Sequence, residues 1–306
     1  MRDLIIIGGG PAGLTAGIYA SRARLDVVLL EATATGGQIL TSDLVENYPG
    51  FPGGISGAEL MERMAEQARL LALPVESGEV ASVDFSSPEK VLFLANGQEM
   101  RARSIILATG ATHRRLGVPG EDRLFGRGVS FCATCDGPFY RGKTVAAVGG
   151  GDTAVQEAIF LTRFAERVFL IHRRDALRAA RILQERLFSN PKIEMIWDSV
   201  VKSINGAAGV ESVTVTNLKT NEIRDLAADG CFVWIGIRPN TAFLADALSL
   251  DANGFIIADR RMATSAPGVF AAGDARDTPL RQVSTAVGDA AIAAMSAEHY
   301  LETGKS

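Results

Sequence analysis

Leu4-Ile5-Ile6-Ile7-Gly8-Gly9-Gly10-Pro11-Ala12-Gly13 decides the fold. Four apolar residues run straight into a glycine-rich turn, the pattern of a strand buried on both faces that enters a tight bend. Leu14 to Arg22 reads as a helix, and Val27 to Leu30 as a second strand that ends in Glu31. The unit is βαβ, and Gly8-x-Gly10-x-x-Gly13 stands after a strand and before a helix, where a dinucleotide fingerprint belongs. Each glycine has its own reason: a tight turn at Gly8, close approach of a pyrophosphate at Gly10, and close helix packing at Gly13. Glu31 falls where an acid takes a ribose hydroxyl.

The pattern recurs. Thr144 to Val148 reads as a strand, Gly149-x-Gly151-x-x-Ala154 as the turn with Asp152, Thr153 to Leu161 as the helix, and Val168 to Ile171 as the next strand. Glu31 stands 23 positions after Gly8, and His172 stands 23 after Gly149. The acid is thus replaced by His172, Arg173 and Arg174, with Arg178 close behind. An acid repels a 2′-phosphate and guanidinium groups bind one bidentately, so the second site is expected to prefer NADPH over NADH. The bland alternative is a solvated basic face at a helix start, but basic residues there oppose the helix dipole unless an anion is present.

Between the two fingerprints lies Cys132-Ala133-Thr134-Cys135-Asp136. Two cysteines two residues apart form a pair that opens and closes, with a carboxylate alongside as proton donor. A redox pair between two nucleotide sites suggests electron relay. Three cysteines are too few, and odd in number, for a disulfide framework. The pair is therefore redox or metal chemistry, and zinc needs two more ligands from Cys231, His113, His172 or His299, which makes a four-ligand site improbable. No metal is expected. Net charge of −4 excludes an electrostatic footprint for nucleic acid or an acidic membrane. No apolar run approaches the ~20 residues of a membrane span, and the first residues do not read as a signal peptide, so the chain is expected to be cytoplasmic.

The rest of the chain fills in around these signals. Thr33 to Gly57, with Gly36, Gly37, Gln38 and Asn47, is too long for an idle loop and is expected to contact ligand. Ser56 and Glu59 form a capping box that opens a helix through about Leu71, with Leu60, Met61, Met64, Ala68 and Leu71 buried. Strands follow at Glu79 to Phe85, Val91 to Leu94 and Ser104 to Ala108, the last ending in Thr109 and Gly110. Residues 111–122 look like an inter-domain link in which His113 is a solvated residue. Strands are expected within 193–235, with Cys231, Trp197 and Trp234 in the core, and Gly236 to Asn240 form a second link. A strand then ends in Gly273 and Asp274, and Arg281, Gln282 and Val283 open an alanine-rich helix to about Leu301, with His299 exposed. The amide-rich start of that helix suits the electron-rich side of a reduced flavin.

From end to end the chain resembles the low-molecular-weight, bacterial-type thioredoxin reductases, class II pyridine nucleotide-disulfide oxidoreductases. Gly8 to Gly13, Gly36-Gly37-Gln38, Glu46 to Gly50, Ala108-Thr109-Gly110, Cys132 to Gly137, Gly149 to Ala154, His172-Arg173-Arg174, Gly273-Asp274 and Arg281-Gln282 match in order and at family spacing. The resemblance implies an α/β fold of two Rossmann-like three-layer ββα domains: a discontinuous FAD domain, 1–112 and 242–306, and an inserted NADPH domain, 115–239, that carries the dithiol. It implies that FAD is held by Gly8, Gly10, Pro11, Ala12, Gly13, Glu31, Gly37, Gln38, Asn47, Val80, Thr109, Gly110, Gly273, Asp274, Arg281, Gln282 and Val283. NADPH falls to Gly149, Gly151, Asp152, Thr153, Ala154, His172, Arg173, Arg174 and Arg178.

The same resemblance makes Cys135 the thiol beside the flavin, Cys132 the one that attacks the partner's disulfide, and Asp136 the acid/base. It also implies a homodimer, thioredoxin as the protein substrate, and rotation of the inserted domain on links near 111–122 and 236–243 between half-reactions. The chain departs from the pattern at Pro138 and Phe139, where many members carry two aromatics that contact the partner, and at Arg238. Two rivals stand behind this reading. One is a reductase of a peroxiredoxin- or glutaredoxin-like protein, disfavoured because no further redox domain precedes Met1. The other is a flavin redox sensor or oxidase, which the basic cluster after His172 argues against.

Overall fold

Leu4, Ile5 and Ile6 are fully excluded from solvent in the strand Arg2–Ile7, which has parallel neighbours on both sides, Val27–Glu31 and Glu99–Leu107. The structure is a computed structural model that describes residues 1–42, 45, 47–244 and 246–304. The chain divides into two compact units, Met1–Thr112 with Arg238–Ser306, and His113–Ile237.

In the first unit the alternation of a strand assigns its residues to two cores. Leu4 and Ile6 face a cluster built with the helices Pro11–Arg22, Gly57–Leu70 and Val283–Thr303, while Ile5 and Ile7 face one completed by Val28, Leu30, Leu92 and Val269. Glu99–Leu107 is the strand that joins the two halves of the sheet. Its first half pairs antiparallel with Lys90–Leu94, and its second pairs parallel with Arg2–Ile7 and with Val269–Ala271. The last helix buries Ala286, Ala290, Ala293, Ala294 and Ala297, a small-residue face that lets it lie close to Pro11–Arg22. Ser56 Oγ accepts from the Glu59 N–H at 3.1 Å and starts Gly57–Leu70 where the capping signal put it. Val75–Ser77 adds an edge strand that no pattern marks, since all its residues are exposed.

The second unit holds a parallel sheet in the order Ile193–Ile196, Arg167–Ile171, Thr144–Gly149, Gly230–Trp234, Val129–Ser130. A three-stranded antiparallel sheet, Ser199–Asn205, Ser212–Asn217 and Ile223–Ala227, stands beside it, and Asp152–Leu161 and Arg181–Phe188 are its longer helices. Cys231 is fully buried, and burial pushes its thiol up to about 12. Trp197 and Trp234 pack at the edge of the core rather than inside it. The stretches Ala111–His113 and Ile237–Pro239 pair as a two-stranded sheet, so both expected links contain regular structure. His113 departs from its expected solvated state: it is half-buried, its ring stacked on Phe131 at 4.7 Å and 12°. His299 is exposed as expected.

Among the described residues no helix is long and apolar enough to cross a membrane, and no cluster of His, Cys, Asp and Glu is placed to hold a metal ion. Phe270 is among the largest fully buried side chains of the first unit. Phe270→Ala is expected to lower that unit's stability by about 3–5 kcal/mol, read as a lower denaturant midpoint.

Candidate active site

The strand Val129–Ser130 delivers the chain into a single helical turn, Ala133–Asp136, whose N-cap is Cys132. Cys132 and Cys135 are joined as a disulfide with their Cα atoms 5.3 Å apart. Cys132 Sγ accepts the Cys135 backbone N–H at 3.1 Å, and Ser130 Oγ accepts the Cys132 N–H at 3.0 Å. When the bond opens, a thiolate at Cys132 therefore meets an amide already aimed at it, the arrangement that lowers a cysteine's pKa. Both cysteines and Asp136 are half-buried, Thr134 is exposed, and Phe139 shows 44% of its surface. Phe131, just before the pair, packs between His113 and Phe125, and the Arg115 guanidinium lies 4.2 Å over the Phe125 ring.

No motif marks Glu157, yet its carboxyl faces the Ala133 backbone from the helix Asp152–Leu161. Burial raises its pKa, and the Ala133 amide pulls it part of the way back. Its one signal in sequence is an acid adjacent to the buried Ala154, Ala158, Leu161 face.

In the first unit the turn closes as the glycines require. Gly8 has φ of +105°, and a Cβ there would lie 2.4 Å from Ala108 O; at Gly13 it would lie 1.7 Å from Gly8 O. Gly10 is different, for its nearest neighbour is the Gly37 Cα at 4.0 Å, so its missing side chain leaves open space. Pro11 and Ala12 begin the helix, whose N-cap Gly10 has no side chain to cap the first amides. Glu31 accepts the Gly9 N–H at 2.6 Å and the Thr33 N–H at 2.9 Å, which ties the strand end to the turn. Val80 opens its strand just after Gly78, whose N–H donates to Glu31 O.

Residues far apart in sequence meet here. A Cβ on Gly273 would touch Ala12 and Ala286, which places Gly273-Asp274 where the helices Pro11–Arg22 and Val283–Thr303 both begin. Asn47 Nδ2 donates to Gln282 Oε1 at 3.0 Å. Gln282 is the N-cap ahead of Val283. Gln38 is exposed beside Gly37, and Thr109 and Gly110 follow the central strand. Glu46 lies outside the described residues. Beneath Gly273, Asp289 binds Arg276 through two bonds, 2.6 and 3.0 Å, and accepts the Gly273 N–H at 3.2 Å.

In the second unit Gly149 is pressed against Ala154 and Trp234 O, and Gly151 is the open N-cap of Asp152–Leu161, again with no side-chain cap. Thr153 is exposed in that helix's first turn. Arg173, Arg174 and Arg178 are exposed on the loop before Arg181–Phe188, not at a helix start. Asp152 Oδ1 accepts the Ala180 N–H at 2.7 Å. His172 departs from its neighbours, since it is buried.

Residues 2–290 match the family described as Pyridine nucleotide-disulphide oxidoreductase. The chain is 45% identical over 302 residues to the thioredoxin reductase of Treponema pallidum (strain Nichols), covering 98% of this chain and 97% of that one. It is 45% identical over 302 residues to a bifunctional thioredoxin reductase/thioredoxin of Mycobacterium leprae (strain TN), covering 98% of this chain but 66% of that longer protein. The thioredoxin reductase structure from Streptococcus pyogenes MGAS5005 superimposes with a TM-score of 0.94 at 46% identity, covering 99% of both chains. The chain belongs to the thioredoxin reductases of the pyridine nucleotide-disulphide oxidoreductase family.

The members of this family are FAD-containing and NADPH-dependent, and the residues present fit such groups. In the first unit Thr109 Oγ1 and Arg281 Nε are buried with no hydrogen-bond partner, the condition of groups that await a ligand. Asp274 is half-buried, and desolvation lifts its carboxyl to about 6, with Arg281 opposing and Asp289 adding to the rise. Its folded pKa lies above its unfolded one, so ionising it costs the FAD-free fold stability as pH rises from about 4 to 6. Asp274→Asn is therefore expected to raise the melting temperature of FAD-free protein at pH 8, with the gain vanishing toward pH 4; an equal gain at both values contradicts this account of Asp274. The glycines give a second contrast. Gly13→Ala is expected to lower the melting temperature of FAD-free protein, whereas Gly10→Ala leaves it unchanged and weakens flavin retention on gel filtration.

Proposed function

We propose that this chain reduces the disulfide of a thioredoxin at the expense of NADPH, with Cys132 and Cys135 as its redox-active pair. The observation that carries the reading is the disulfide itself, closed across one helical turn, half-exposed, with an amide aimed at Cys132 Sγ. On this reading Met1–Thr112 with Arg238–Ser306 holds FAD through the Gly8 turn, Asp274 and the start of the last helix. His113–Ile237 holds NADPH through the Gly149 turn, with the arginines after His172 on its 2′-phosphate. FAD, when bound, supplies the two-electron link between nicotinamide and disulfide.

The chain's own residues then perform exchange. The Cys132 thiolate attacks one sulfur of the thioredoxin disulfide, forming a mixed disulfide and releasing the other sulfur as a thiolate. Cys135, as thiolate, attacks Cys132 Sγ, which frees the second thioredoxin sulfur and restores the Cys132–Cys135 bond. Asp136, half-buried one residue after Cys135, moves the proton between the Cys135 sulfur and the departing thiolate. The Mycobacterium leprae relative, whose name joins reductase and thioredoxin in one chain, supports thioredoxin as the substrate.

The pair and the NADPH turn belong to the same unit, so that unit is proposed to turn on its two connections between half-reactions. Two relatives support this. At 46% and 43% identity, thioredoxin reductases from Streptococcus pyogenes and from Lactococcus lactis, the latter in its FR conformation, match with TM-scores of 0.94 and 0.69. A homodimer is proposed through the groove between the helices Pro11–Arg22 and Val283–Thr303, where Tyr19, Ile292 and Met295 are exposed apolar residues. A cytoplasmic location follows from the chemistry, since NADPH-driven reduction of thioredoxin maintains a reducing compartment.

The roles of the two sulfurs separate in single variants. Cys135→Ser holoenzyme is expected to trap a stable mixed disulfide with a single-cysteine thioredoxin supplied as its thionitrobenzoate disulfide, the Cys132 thiolate displacing thionitrobenzoate, seen on a non-reducing gel, and Cys132→Ser is not. Trapping by Cys132→Ser alone reverses the assignment, and trapping by neither removes thioredoxin as the partner.

A further inference from the structure

The arginines of the second unit are exposed, as phosphate ligands must be, but His172, which opens the same run, is 7% exposed. Its ring lies flat against the glycine turn: a Cβ on Gly150 would fall 2.2 Å from both Cε1 and Nδ1. Nε2 lies 3.1 Å from the Ala176 carbonyl oxygen. A carbonyl only accepts, so Nε2 carries the hydrogen and donates it. Ala176 stands midway between Arg174 and Arg178. The ring is thus held between the turn that receives the pyrophosphate and the loop that carries the guanidinium groups.

Two further bonds run between these elements. The Arg178 N–H donates to Gly150 O at 2.8 Å, and the Ala180 N–H donates to Asp152 Oδ1 at 2.7 Å. On its other side the His172 ring meets Trp197 edge-on at 6.3 Å, and its backbone pairs with Ile196 and Ser199. Burial and the neighbouring Arg174 and Arg178 charges favour the neutral ring, with the Gly149 and Ala176 backbone opposing. A neutral, enclosed imidazole with its donor spent on a carbonyl has little left to offer a phosphate.

We infer that His172 is a positioning residue for NADPH selection: it pins the loop bearing Arg173, Arg174 and Arg178 to the Gly149–Gly151 turn, and does not itself ligate the 2′-phosphate. The inference rests on the assignment of this turn to NADPH. NADH makes no demand on the arginine loop, so loss of the pin affects one nucleotide and spares the other.

Two variants test it in the FAD-loaded enzyme. His172→Phe keeps the ring's bulk and removes the donor; Gly150→Ala keeps His172 and displaces its ring. Each is expected to raise KM for NADPH about tenfold, the scale of one lost charge-assisted contact; His172→Phe changes KM for NADH less than about twofold, whereas Gly150→Ala, in the turn both nucleotides share, raises KM for NADH too but by less than for NADPH. Equal effects on both nucleotides, or an unchanged KM for NADPH in His172→Phe, overturn the pin. Nitrogen NMR of histidine-labelled enzyme supplies a readout apart from activity, and a chain with three histidines makes assignment tractable. The His172 ring is expected to be neutral, with hydrogen on Nε2, and to give the same signals with NADP⁺ as with NAD⁺. A ring that shifts or takes up a proton with NADP⁺ alone is a ligand, and the pin fails. Wild-type enzyme without preference for NADPH fails the functional assignment instead, and the nitrogen signals still decide the ring's role.

Discussion

The first amides of two helices, Pro11–Arg22 and Asp152–Leu161, have no side chain to cap them, because the N-cap of each is a glycine. A helix start leaves donors that need partners, together with the positive end of the dipole. A small domain closes such an end with Ser, Thr, Asp or Asn; the helix Gly57–Leu70 does so with Ser56. These two ends stay open, each behind a largely buried strand, Arg2–Ile7 and Thr144–Gly149, and each on its own unit of the fold. Open amides in a rigid cradle accept phosphate, and the rest of the molecule determines which nucleotide arrives and what its electrons meet.

The second unit places its chemistry by economy of backbone. One turn of helix carries both cysteines, and the amide that closes that turn also faces the Cys132 sulfur. Structure and reactivity therefore share one hydrogen bond. The buried Cys231, by contrast, has its thiol pushed up to about 12 and is inert at neutral pH. The same contrast separates His172 from the arginines after it: adjacent in sequence, one faces inward and locks a loop while the others face outward.

Much of this was legible in the sequence, and the reasons are physical. Strands buried on both faces and glycine turns leave local signals that the structure carries, and of the Ser56–Glu59 box it carries the Ser56 half, the Glu59 carboxylate pairing with Arg63 instead. Val75–Ser77 left none, since an exposed edge strand shows no apolar alternation. Arg181–Phe188 was equally silent, a short helix that buries only Leu187. His113 reads as a link residue by its neighbours, yet the fold stacks it on Phe131, a pairing between residues that no local pattern connects. Glu157 is an ordinary helical acid until the topology brings it to Ala133. The roles of His172 and of the arginines differ by burial alone, and burial belongs to the fold.

The account makes the chain a relay with a nucleotide at one end and a protein disulfide at the other. Its most direct test is to follow NADPH consumption by the FAD-loaded enzyme with and without oxidised thioredoxin, with NADH run in parallel. The account predicts consumption of NADPH that depends on thioredoxin and is far slower with NADH. Consumption that proceeds equally without thioredoxin, or equally with NADH, contradicts it.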